Sequence, residues 1–312
     1  MKIEPKSFCK REWGFGCEGN KLFTKSFCPR PRLQPTMIAV VAPAGRISRE
    51  KFEEGLACLR ELSGEDVKVM PHVFSEYEVG YLSASMEERA ADLMSAWLDP
   101  EVTAIVCARG GFGSAQLLNL LDWDLLRERP DMPVIGYSDI TALHFGMVAK
   151  GIGIPVIAPM IGTLPEALQS AYTGEMFQAM LSGRSYELMP PSEFGDFNVI
   201  KPGNVTGKLL AGNLAVAVTL CGTPYFPDVS DRVLMFEDLN EPLYKLDRYF
   251  TQLEMCGILR SCRGLLLGQF TDCAPQEELN ALFERIAPKV NGPVISNLPF
   301  GHVYPLASQL LG

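Results

Sequence analysis

The sequence predicts an α/β protein with two domains, an N-terminal doubly wound parallel sheet and a smaller C-terminal mixed α/β domain of barrel-like form. Its 312 residues correspond to roughly two domains of about 150 residues each. Hydrophobic residues make up 47% and charged residues 21% of the chain, which are ordinary values for a folded globular protein. From residue 37 onward, short apolar runs alternate with amphipathic stretches, as expected of βαβ units.

Five apolar runs predict the strands of the N-terminal domain, which we place at residues 37–165. The runs cover residues 37–42, 67–70, 102–107, 133–137 and 154–158. Because strands and helices alternate, we expect parallel strands joined by right-handed crossovers. Ligands of such sheets bind at the carboxyl ends of the strands.

Capping residues mark the helices between these strands. Ser48 is placed to cap a helix, and Ser85 and Glu88 form a capping box for the next one, which runs to about residue 98. We expect further helices from Ser114 and over residues 140–150. The first helix has one apolar face, formed by Phe52, Leu56 and Leu59.

The second half of the chain divides into a linker and a C-terminal domain. Residues 166–204 are rich in proline and glycine, and we interpret them as a linker with one helix around residues 174–181. Residues 205–312 form the C-terminal domain. Its predicted strands cover residues 206–220, 232–236 and 264–267, and its predicted helix covers residues 243–255.

Charge is unevenly distributed along the chain. The net charge is −9, but the first 32 residues contain eight basic and three acidic residues, so the remainder carries −14. An acidic body argues against nonspecific binding to nucleic acid. Residues 1–36 lack the apolar run of a signal peptide, and we interpret them as a basic, disordered N-terminal extension.

The composition also limits location and metal chemistry. No apolar stretch reaches the roughly 18 residues of a membrane span, so we expect no membrane association. The nine cysteines include no CxxC pair, which indicates reduced thiols in a cytoplasmic protein. The three histidines, His72, His144 and His302, are too few for a His-rich metal centre.

Two loops follow strands of the first domain and are expected at the same edge of its sheet. The first, residues 109–114, has the sequence RGGFGS, whose glycine amides could bind a phosphate or stabilise an oxyanion. Gln116 occupies the third glycine position of a dinucleotide fingerprint, and the Gly-Lys-Ser/Thr of a Walker loop is missing. A plain tight turn is the structural alternative.

The second loop, residues 136–141, turns an apolar strand directly into a helix with Ser138 at the corner. This placement resembles a nucleophile elbow, although Ile140 replaces the last glycine of the G-x-S-x-G pattern. Alternatively, Ser138 or Asp139 only caps the following helix.

A nucleophilic serine needs a base that is itself oriented by a third group. The base could be any of the three histidines, although His144 lies on the same helix as the serine and is more typical of a packed side chain. The orienting acid could be Glu237, Asp238 or Glu241, or these could form a solvated acidic turn. The residues alone do not choose among them.

Taken together, these segments resemble the LD-carboxypeptidase family, the serine peptidases that include the microcin C7 self-immunity hydrolases. The resemblance covers about residues 37–303. It rests on VVAPAG at 40–45, ARGGFG at 108–113, IGYSD at 135–139, a set formed by 212–214, 222–224, 236–238 and 244–248, and FGH at 300–302.

The resemblance implies a catalytic triad of Ser138 as nucleophile, Glu237 as orienting acid and His302 as general base. It implies an oxyanion hole formed by the amide of Asp139 and that of Gly110 or Gly111, and Arg109 as a partner of an anionic substrate group, unless Arg109 pairs within its own domain. It also implies a peptide substrate, no metal or cofactor, and a cytoplasmic homodimer.

The family's usual reaction removes the terminal D-alanine from muropeptide tetrapeptides during cell-wall recycling, and this is the function that the sequence predicts. A microcin C7-type immunity amidase is an alternative, and a catalytically silent muropeptide-binding protein is an alternative of another class. The chain ends ten residues after His302, where family members usually continue, so we expect the last strand of the C-terminal domain to be missing.

Overall fold

The computed structural model of the chain describes residues 12–16, 21–25, 37–181, 191 and 194–312. The described strands form two sheets, one of six and one of seven strands, in which most neighbours are parallel. The predicted α/β fold with two domains is therefore confirmed.

The described strands are short, and in those from residue 37 onward most residues are buried. In chain order they are β1 (Glu12–Gly16), β2 (Lys21–Lys25), β3 (Met37–Val41), β4 (Asp66–Val69), β5 (Val102–Cys107), β6 (Pro133–Gly136), β7 (Ile154–Ile157), β8 (Asn198–Lys201), β9 (Val205–Asn213), β10 (Arg232–Leu239), β11 (Gly264–Thr271), β12 (Val294–Ser296) and β13 (Gln309–Leu310).

The described helices pack between and around these strands. In chain order they are α1 (Arg49–Ser63), α2 (Met86–Leu98), α3 (Trp123–Leu126), α4 (Thr141–Lys150), α5 (Leu164–Ala167), α6 (Ala171–Leu181), α7 (Leu214–Thr219), α8 (Leu243–Met255), α9 (Ile258–Ser261) and α10 (Gln276–Ile286). Among the described residues, no helix is both long and apolar enough to cross a lipid bilayer.

The first sheet has the order β13-β7-β6-β5-β3-β4. All its strands are parallel except β13, which runs antiparallel to β7 and comes from the far end of the chain. The five strands predicted for the N-terminal domain are all present. A strand from the last residues of the chain therefore belongs to the sheet of the first domain, which the sequence did not predict.

The predicted caps of the first two long helices are confirmed. Ser48 accepts a hydrogen bond from the backbone of Lys51, and the apolar face of α1 is buried. Ser85 and Glu88 form both bonds of the capping box at the start of α2. These caps fix where the chain enters each helix after leaving the sheet.

Two element predictions differ from the structure because of polar caps inside apolar runs. The helix expected from Ser114 is only a short 3₁₀ turn, because Asp122 accepts a hydrogen bond from Leu125 N and begins the separate helix α3. The strand expected over residues 206–220 ends at Asn213, whose side chain accepts from Val216 N and caps α7.

The second sheet has the order β2-β1-β9-β10-β11-β12-β8, with β9 to β12 parallel. Among the described strands this order is linear and ends in two edge strands, β2 and β8, so these strands form an open sheet, whereas the sequence suggested a barrel-like domain. The strand β8 lies within the predicted linker but pairs antiparallel with β12 and belongs to this sheet. Residues 182–190, 192 and 193 of that linker lie outside the described residues.

Ten residues of the N-terminal extension are in strands, where the sequence predicted disorder. The strands β1 and β2 form an antiparallel hairpin, and β1 also pairs with β9. This pairing supplies backbone partners to β9, which would otherwise be an edge strand. The other residues of 1–36 lie outside the described residues.

The two sheets meet at the carboxyl ends of β6 and β9. Asn213 N donates to Thr141 Oγ1 at 2.9 Å. A Cβ on Gly212 would lie 2.4 Å from Thr141 Cγ2, so only glycine allows this approach. The start of α4, immediately after the loop that carries Ser138, is thus fixed against the second domain.

Candidate active site

The turn after β6 holds Ser138 in an unusual backbone conformation. Ser138 has a φ of +63°, and the preceding Tyr137 is extended. Positive φ is uncommon for a residue other than glycine and is often found at functional sites. Neither Ser138 nor Asp139 caps α4, whose first turn has no side-chain cap, so the capping alternative does not describe this loop.

The glycine loop lies directly against Ser138. A Cβ on Gly110 would lie 3.0 Å from Ser138 Oγ and 3.3 Å from the backbone nitrogen of Asp139. Gly111 and Gly113 both have positive φ values, of 108° and 127°. The two loops therefore meet as expected, and glycine at position 110 leaves open the space beside the hydroxyl.

Asp139 ties the two loops together. Its buried carboxylate accepts a hydrogen bond from Ser114 N at 2.9 Å, and its carbonyl accepts one from Ser114 Oγ. Burial raises the pKa of Asp139, while the Ser114 bonds and the charge of Arg89 act in the opposite direction. This side chain thus holds the loop geometry around Ser138.

Arg89 is a positioning residue that the sequence analysis missed. It is buried in α2 and donates to the carbonyls of Pro43, Ala84 and Gly113 and to the side chain of Gln116. These bonds join the loops after β3 and β5. The signal available in the sequence was an arginine on the apolar face of an amphipathic helix.

Glu237 and His302 form a hydrogen-bonded pair in the second domain. His302 Nδ1 lies 2.8 Å from Glu237 Oε2, and Glu237 is 2% exposed at the end of β10. A Cβ on Gly301 would lie 3.1 Å from Glu237 Oε2, so this glycine, with a φ of +134°, allows the ring to approach the carboxylate.

The electrostatics of the pair favour a charged imidazole. Burial lowers the pKa of His302, but the hydrogen bond and charge of Glu237 and the charge of Asp238 outweigh it, so the pKa lies above its usual value. A group of this kind can take up a proton and be stabilised in its charged form.

The other two acids considered are engaged elsewhere. Asp238 accepts hydrogen bonds from Asn213 Nδ2, Ala215 N and Leu239 N, each at 2.9 Å. Burial and the nearby charge of Glu237 raise the pKa of Asp238 to about 6. Glu241 forms an ion pair with Lys245 on the next helix.

Asn213 is a second residue that the sequence analysis missed. Its amide also donates to Glu237 Oε1 at 3.2 Å, so one side chain steadies both acids. The sequence signal was a polar residue inside an apolar run, at the point where a strand becomes a helix.

The other two histidines are bound within the first domain. His144 is fully buried with Nε2 3.0 Å from the carbonyl oxygen of Val134, and burial lowers its pKa to about 4. His72 Nδ1 lies 2.8 Å from Asp92 Oδ1, beside the edge strand β4. The structure therefore pairs only His302 with the acids that the sequence analysis considered.

Ser138 and the Glu237–His302 pair meet at the junction of the two domains. The rings of Tyr137 and His302 lie 5.1 Å apart, and Ser138 and Glu237 line the same narrow pocket. Within the described part of the chain, Ser138 Oγ and the His302 ring do not form a hydrogen bond. Catalytic hydrogen bonds are often long without substrate and shorten when it binds.

Arg109 is exposed and immediately precedes Gly110 in the glycine loop. Its Nη1 donates to the carbonyl of Arg46 at 2.8 Å, and it forms no ion pair with any carboxylate of the described residues. The alternative that Arg109 serves an ion pair within its own domain is thus not observed among them.

Metal-ligating side chains are not clustered in the described chain. Among the described residues, no group of three or more histidine, cysteine, aspartate or glutamate side chains could hold a metal ion. The six described cysteines are all free thiols.

Comparison with known proteins places the chain in one family. The LD-carboxypeptidase N-terminal domain matches residues 38–157, and the LD-carboxypeptidase C-terminal domain matches residues 206–312. The murein tetrapeptide carboxypeptidase of Pseudomonas aeruginosa is 34% identical over 85% of this chain and 87% of its own length. A Streptomyces coelicolor protein with carboxypeptidase in its name is 35% identical over 87% of both chains.

Solved structures agree with this assignment. The muramoyltetrapeptide carboxypeptidase of Oxalobacter formigenes has a TM-score of 0.72 at 26% identity, covering 88% of this chain and 92% of its own. An MccF-like protein of Bacillus anthracis has a TM-score of 0.79 at 25% identity, covering 91% and 93%. With both domains matched in order and relatives above 30% identity, the chain belongs to the LD-carboxypeptidase family.

Proposed function

We propose that the protein is a serine LD-carboxypeptidase that removes the terminal D-alanine from muropeptide tetrapeptides. The observation that carries the proposal is the buried Glu237–His302 hydrogen bond facing the strained turn of Ser138. The names of the Pseudomonas aeruginosa relative and the Oxalobacter formigenes structure support the choice of substrate.

The proposed reaction is acyl transfer through a Ser-Glu-His triad. Nε2 of His302 accepts the proton of Ser138 Oγ as the oxygen attacks the carbonyl carbon before D-alanine. The imidazolium then gives that proton to the departing amine, which leaves as D-alanine. Water attacks the acyl-enzyme with His302 again as base, and this step releases the tripeptide and restores the hydroxyl.

Glu237 orients and stabilises the base in this scheme. Because its carboxylate accepts from Nδ1, Nε2 is the nitrogen available to the serine. The raised pKa of His302 reflects the preference for the charged ring, which is the form produced when the serine attacks. This chemistry requires neither a metal nor a cofactor.

We assign the oxyanion hole to the amide of Asp139 and that of Gly110 or Gly111. The close approach of Gly110 to Ser138 Oγ and Asp139 N supports this assignment. Each such donor is typically worth about 3 kcal/mol of transition-state stabilisation. Arg109, exposed beside the same loop, is proposed to bind an anionic group of the substrate, for which the terminal carboxylate is a candidate.

The biological setting is also a proposal. Removal of D-alanine from free muropeptides belongs to cell-wall recycling, and we place the enzyme in the cytoplasm as a homodimer. The free thiols of the described cysteines are compatible with a reducing compartment.

The decisive experiment uses a defined muropeptide tetrapeptide and mass spectrometry. We expect loss of one D-alanine by the full-length protein and none by the Ser138→Ala variant. The same protein is incubated with an aminoacyl sulfamoyl adenosine, because an immunity amidase would cleave that compound. Cleavage of this compound alone would replace the proposal with the amidase function, and binding of the tetrapeptide without cleavage would indicate a silent binding protein.

A further inference from the structure

One side chain of the narrow pocket has no part in the proposed reaction. Tyr137 immediately precedes Ser138 and lines the same pocket, but only 8% of it is exposed. A buried tyrosine packs its ring against other groups and needs a partner for its hydroxyl. The contacts of the ring and of the hydroxyl therefore indicate what this residue does.

The ring of Tyr137 packs against the ring of His302. The two ring centres lie 5.1 Å apart, and the ring planes are inclined by 56°. Aromatic rings attract each other at such distances when they are tilted rather than stacked face to face. Tyr137 follows β6 of the first sheet, whereas His302 follows β12 of the second, so the contact crosses the domain junction. One residue is thus bonded to the proposed nucleophile and packed on the proposed base.

The hydrogen bond with Glu237 alone does not fix the plane of the imidazole. It holds Nδ1 of His302 2.8 Å from Oε2, but a ring that is held at one atom can still tilt about the line of that bond. Tilting moves Nε2, the nitrogen that must accept the serine proton. A misplacement of about 1 Å at a reacting atom can cost roughly 100-fold in rate. A second contact on the ring is therefore required, and Tyr137 supplies one.

The hydroxyl end of Tyr137 is held by two other side chains. Burial is the main cause that raises the pKa of Tyr137, the neighbouring Tyr304 adds to this effect, and a hydrogen bond with Thr163 opposes it. Tyr304 OH in turn donates to the carbonyl oxygen of Thr163 at 3.3 Å. Because its pKa is raised, the Tyr137 phenol stays uncharged at neutral pH and does not serve as a base, which leaves it a positioning role.

The chain segment that follows His302 returns to the first domain. Leu306 N donates to Thr173 Oγ1 at 2.8 Å, and the strand β13 pairs with β7 of the first sheet. Together with the hydrogen bond from Tyr304, these contacts fix the segment against the domain that carries the nucleophile turn. The approach of the two rings is thus held from both sides of the domain junction.

We propose that Tyr137 is a positioning residue whose ring fixes the plane of the His302 imidazole, so that Nε2 faces Ser138. The inference rests on the proposed triad and adds to it the residue that aligns the base with the nucleophile across the domain junction. The ring supplies the contact, and the hydroxyl holds the ring in place. Removal of the ring should therefore impair the reaction much more than removal of the hydroxyl.

The test compares Tyr137→Leu, which removes the ring and keeps apolar bulk, with Tyr137→Phe, which keeps the ring. We measure kcat and KM on the tetrapeptide, and the rate at which a fluorophosphonate probe labels Ser138. In the labelling, Ser138 Oγ bonds to phosphorus, fluoride leaves, and His302 takes the hydroxyl proton. We expect Tyr137→Leu to lose about 10- to 100-fold in kcat and in labelling rate, with KM changed by less than about twofold. Tyr137→Phe should lose less than about threefold in either rate.

Tyr172→Leu is the matched control, because Tyr172 is a partly buried tyrosine of α6 outside the pocket lining, and it should keep both wild-type rates. Wild-type rates in Tyr137→Leu would overturn the inference, as would equal losses in Tyr137→Leu and Tyr137→Phe. Circular dichroism checks that each variant is folded. If Tyr137→Leu is not, Tyr137→Met, which fills the space with a flexible chain, is judged by the same criteria.

The labelling separates this inference from the proposed function. If the wild type is labelled at Ser138 but does not cleave the tetrapeptide, the proposed function fails, and the labelling rates of the variants alone decide the inference. A wild-type protein that is not labelled at Ser138 would overturn the inference together with the triad.

Discussion

His302 Nδ1 lies 2.8 Å from Glu237 Oε2, so the imidazole and the carboxylate that orients it are paired within the second domain, without a contribution from Ser138. Ser138 comes from the first domain, and the bond from Asn213 N to Thr141 Oγ1 holds the two domains together beside it. The proposed base is thus oriented independently of the nucleophile, and the two can be tested separately.

Glu237→Gln should abolish most activity while keeping the shape of the site. A glutamine can present its amide to Nδ1 and favour the wrong tautomer, so we expect kcat to fall by about 1,000-fold or more. Glu241→Gln is the control, because Glu241 pairs with Lys245 rather than with the ring, and it should stay within a few-fold of wild type. Comparable losses in the two variants would argue against Glu237 as the orienting acid.

The pH profile of kcat/KM should report the raised pKa of His302. The ring must be neutral to accept the serine proton, so activity should rise with pH through a value above the ordinary histidine pKa of about 6.5. In Glu237→Gln, the hydrogen bond and the charge that raise the pKa of His302 are lost or weakened, and burial, which lowers this pKa, becomes the dominant influence. The residual activity should therefore begin to rise at a lower pH than in the wild type. An unchanged profile in that variant would mean that another group controls the acid limb.

The free energy of unfolding should also depend on the protonation of His302, but it should fall with increasing pH where the activity rises. Because the folded pKa of His302 is raised, its interaction with Glu237 stabilises the fold fully below the unfolded pKa of about 6.5 and is lost as pH rises through the folded pKa. Urea unfolding of wild type and Glu237→Gln across this window should give a difference that shrinks with increasing pH. A difference that grows with pH would contradict the assigned direction.

Local patterns predicted five of the six strands of the first sheet because most of these strands are apolar runs separated by capped helices. They failed where polar caps lie inside apolar segments, as at Asn213, and where strands pair over long distances, as for β13 and β8. A strand of two to four residues carries little periodicity, so only its tertiary partner identifies it.

The site could be predicted only in part, because some of its features are local and others depend on contacts between residues far apart in the sequence. The turn at Ser138 and the glycine loop are local features, and both could be found from sequence. The choice of His302 over His72 and His144 depends on a hydrogen bond to Glu237, 65 positions away, so only the family resemblance could suggest it. Arg89 was missed because its bonding partners lie on three separate loops.

Gly110→Ala should block the space beside the proposed nucleophile. The added Cβ would lie 2.9 Å from Ser138 Cβ and 3.0 Å from Oγ, closer than packed atoms tolerate. We expect a loss of about 100-fold in kcat with a smaller change in stability, the size of effect seen when an oxyanion donor is displaced. Gly80→Ala is the control, since a Cβ there meets nothing within 4 Å. Full activity of Gly110→Ala would exclude close participation of this loop.

Arg89→Met should destabilise the first domain, because the arginine is a buried cation that donates to three backbone carbonyls. Methionine has a similar length and no donors, so the carbonyls of Pro43 and Ala84 would lose this donor and that of Gly113 would keep only the bond from Gln116 N. The buried Asp139 carboxylate would also lose a nearby positive charge. Each buried acceptor left without a donor costs about 1–3 kcal/mol of stability, and relaxation of the surrounding structure offsets part of the total cost. We therefore expect the free energy of unfolding to fall by about 3–5 kcal/mol in urea titrations.

The control for this prediction is Arg60→Met, since Arg60 is exposed on α1 and its replacement should change stability by less than about 0.5 kcal/mol. Activity separates a positioning role from a purely structural one. Arg89 fixes the glycine loop through the carbonyl of Gly113, and Asp139 ties that loop to the nucleophile turn. Folded Arg89→Met protein, assayed well below its melting temperature, should therefore show a lowered kcat with a nearly unchanged KM. Wild-type kcat in the folded variant would mean that Arg89 stabilises the domain without setting the geometry around Ser138.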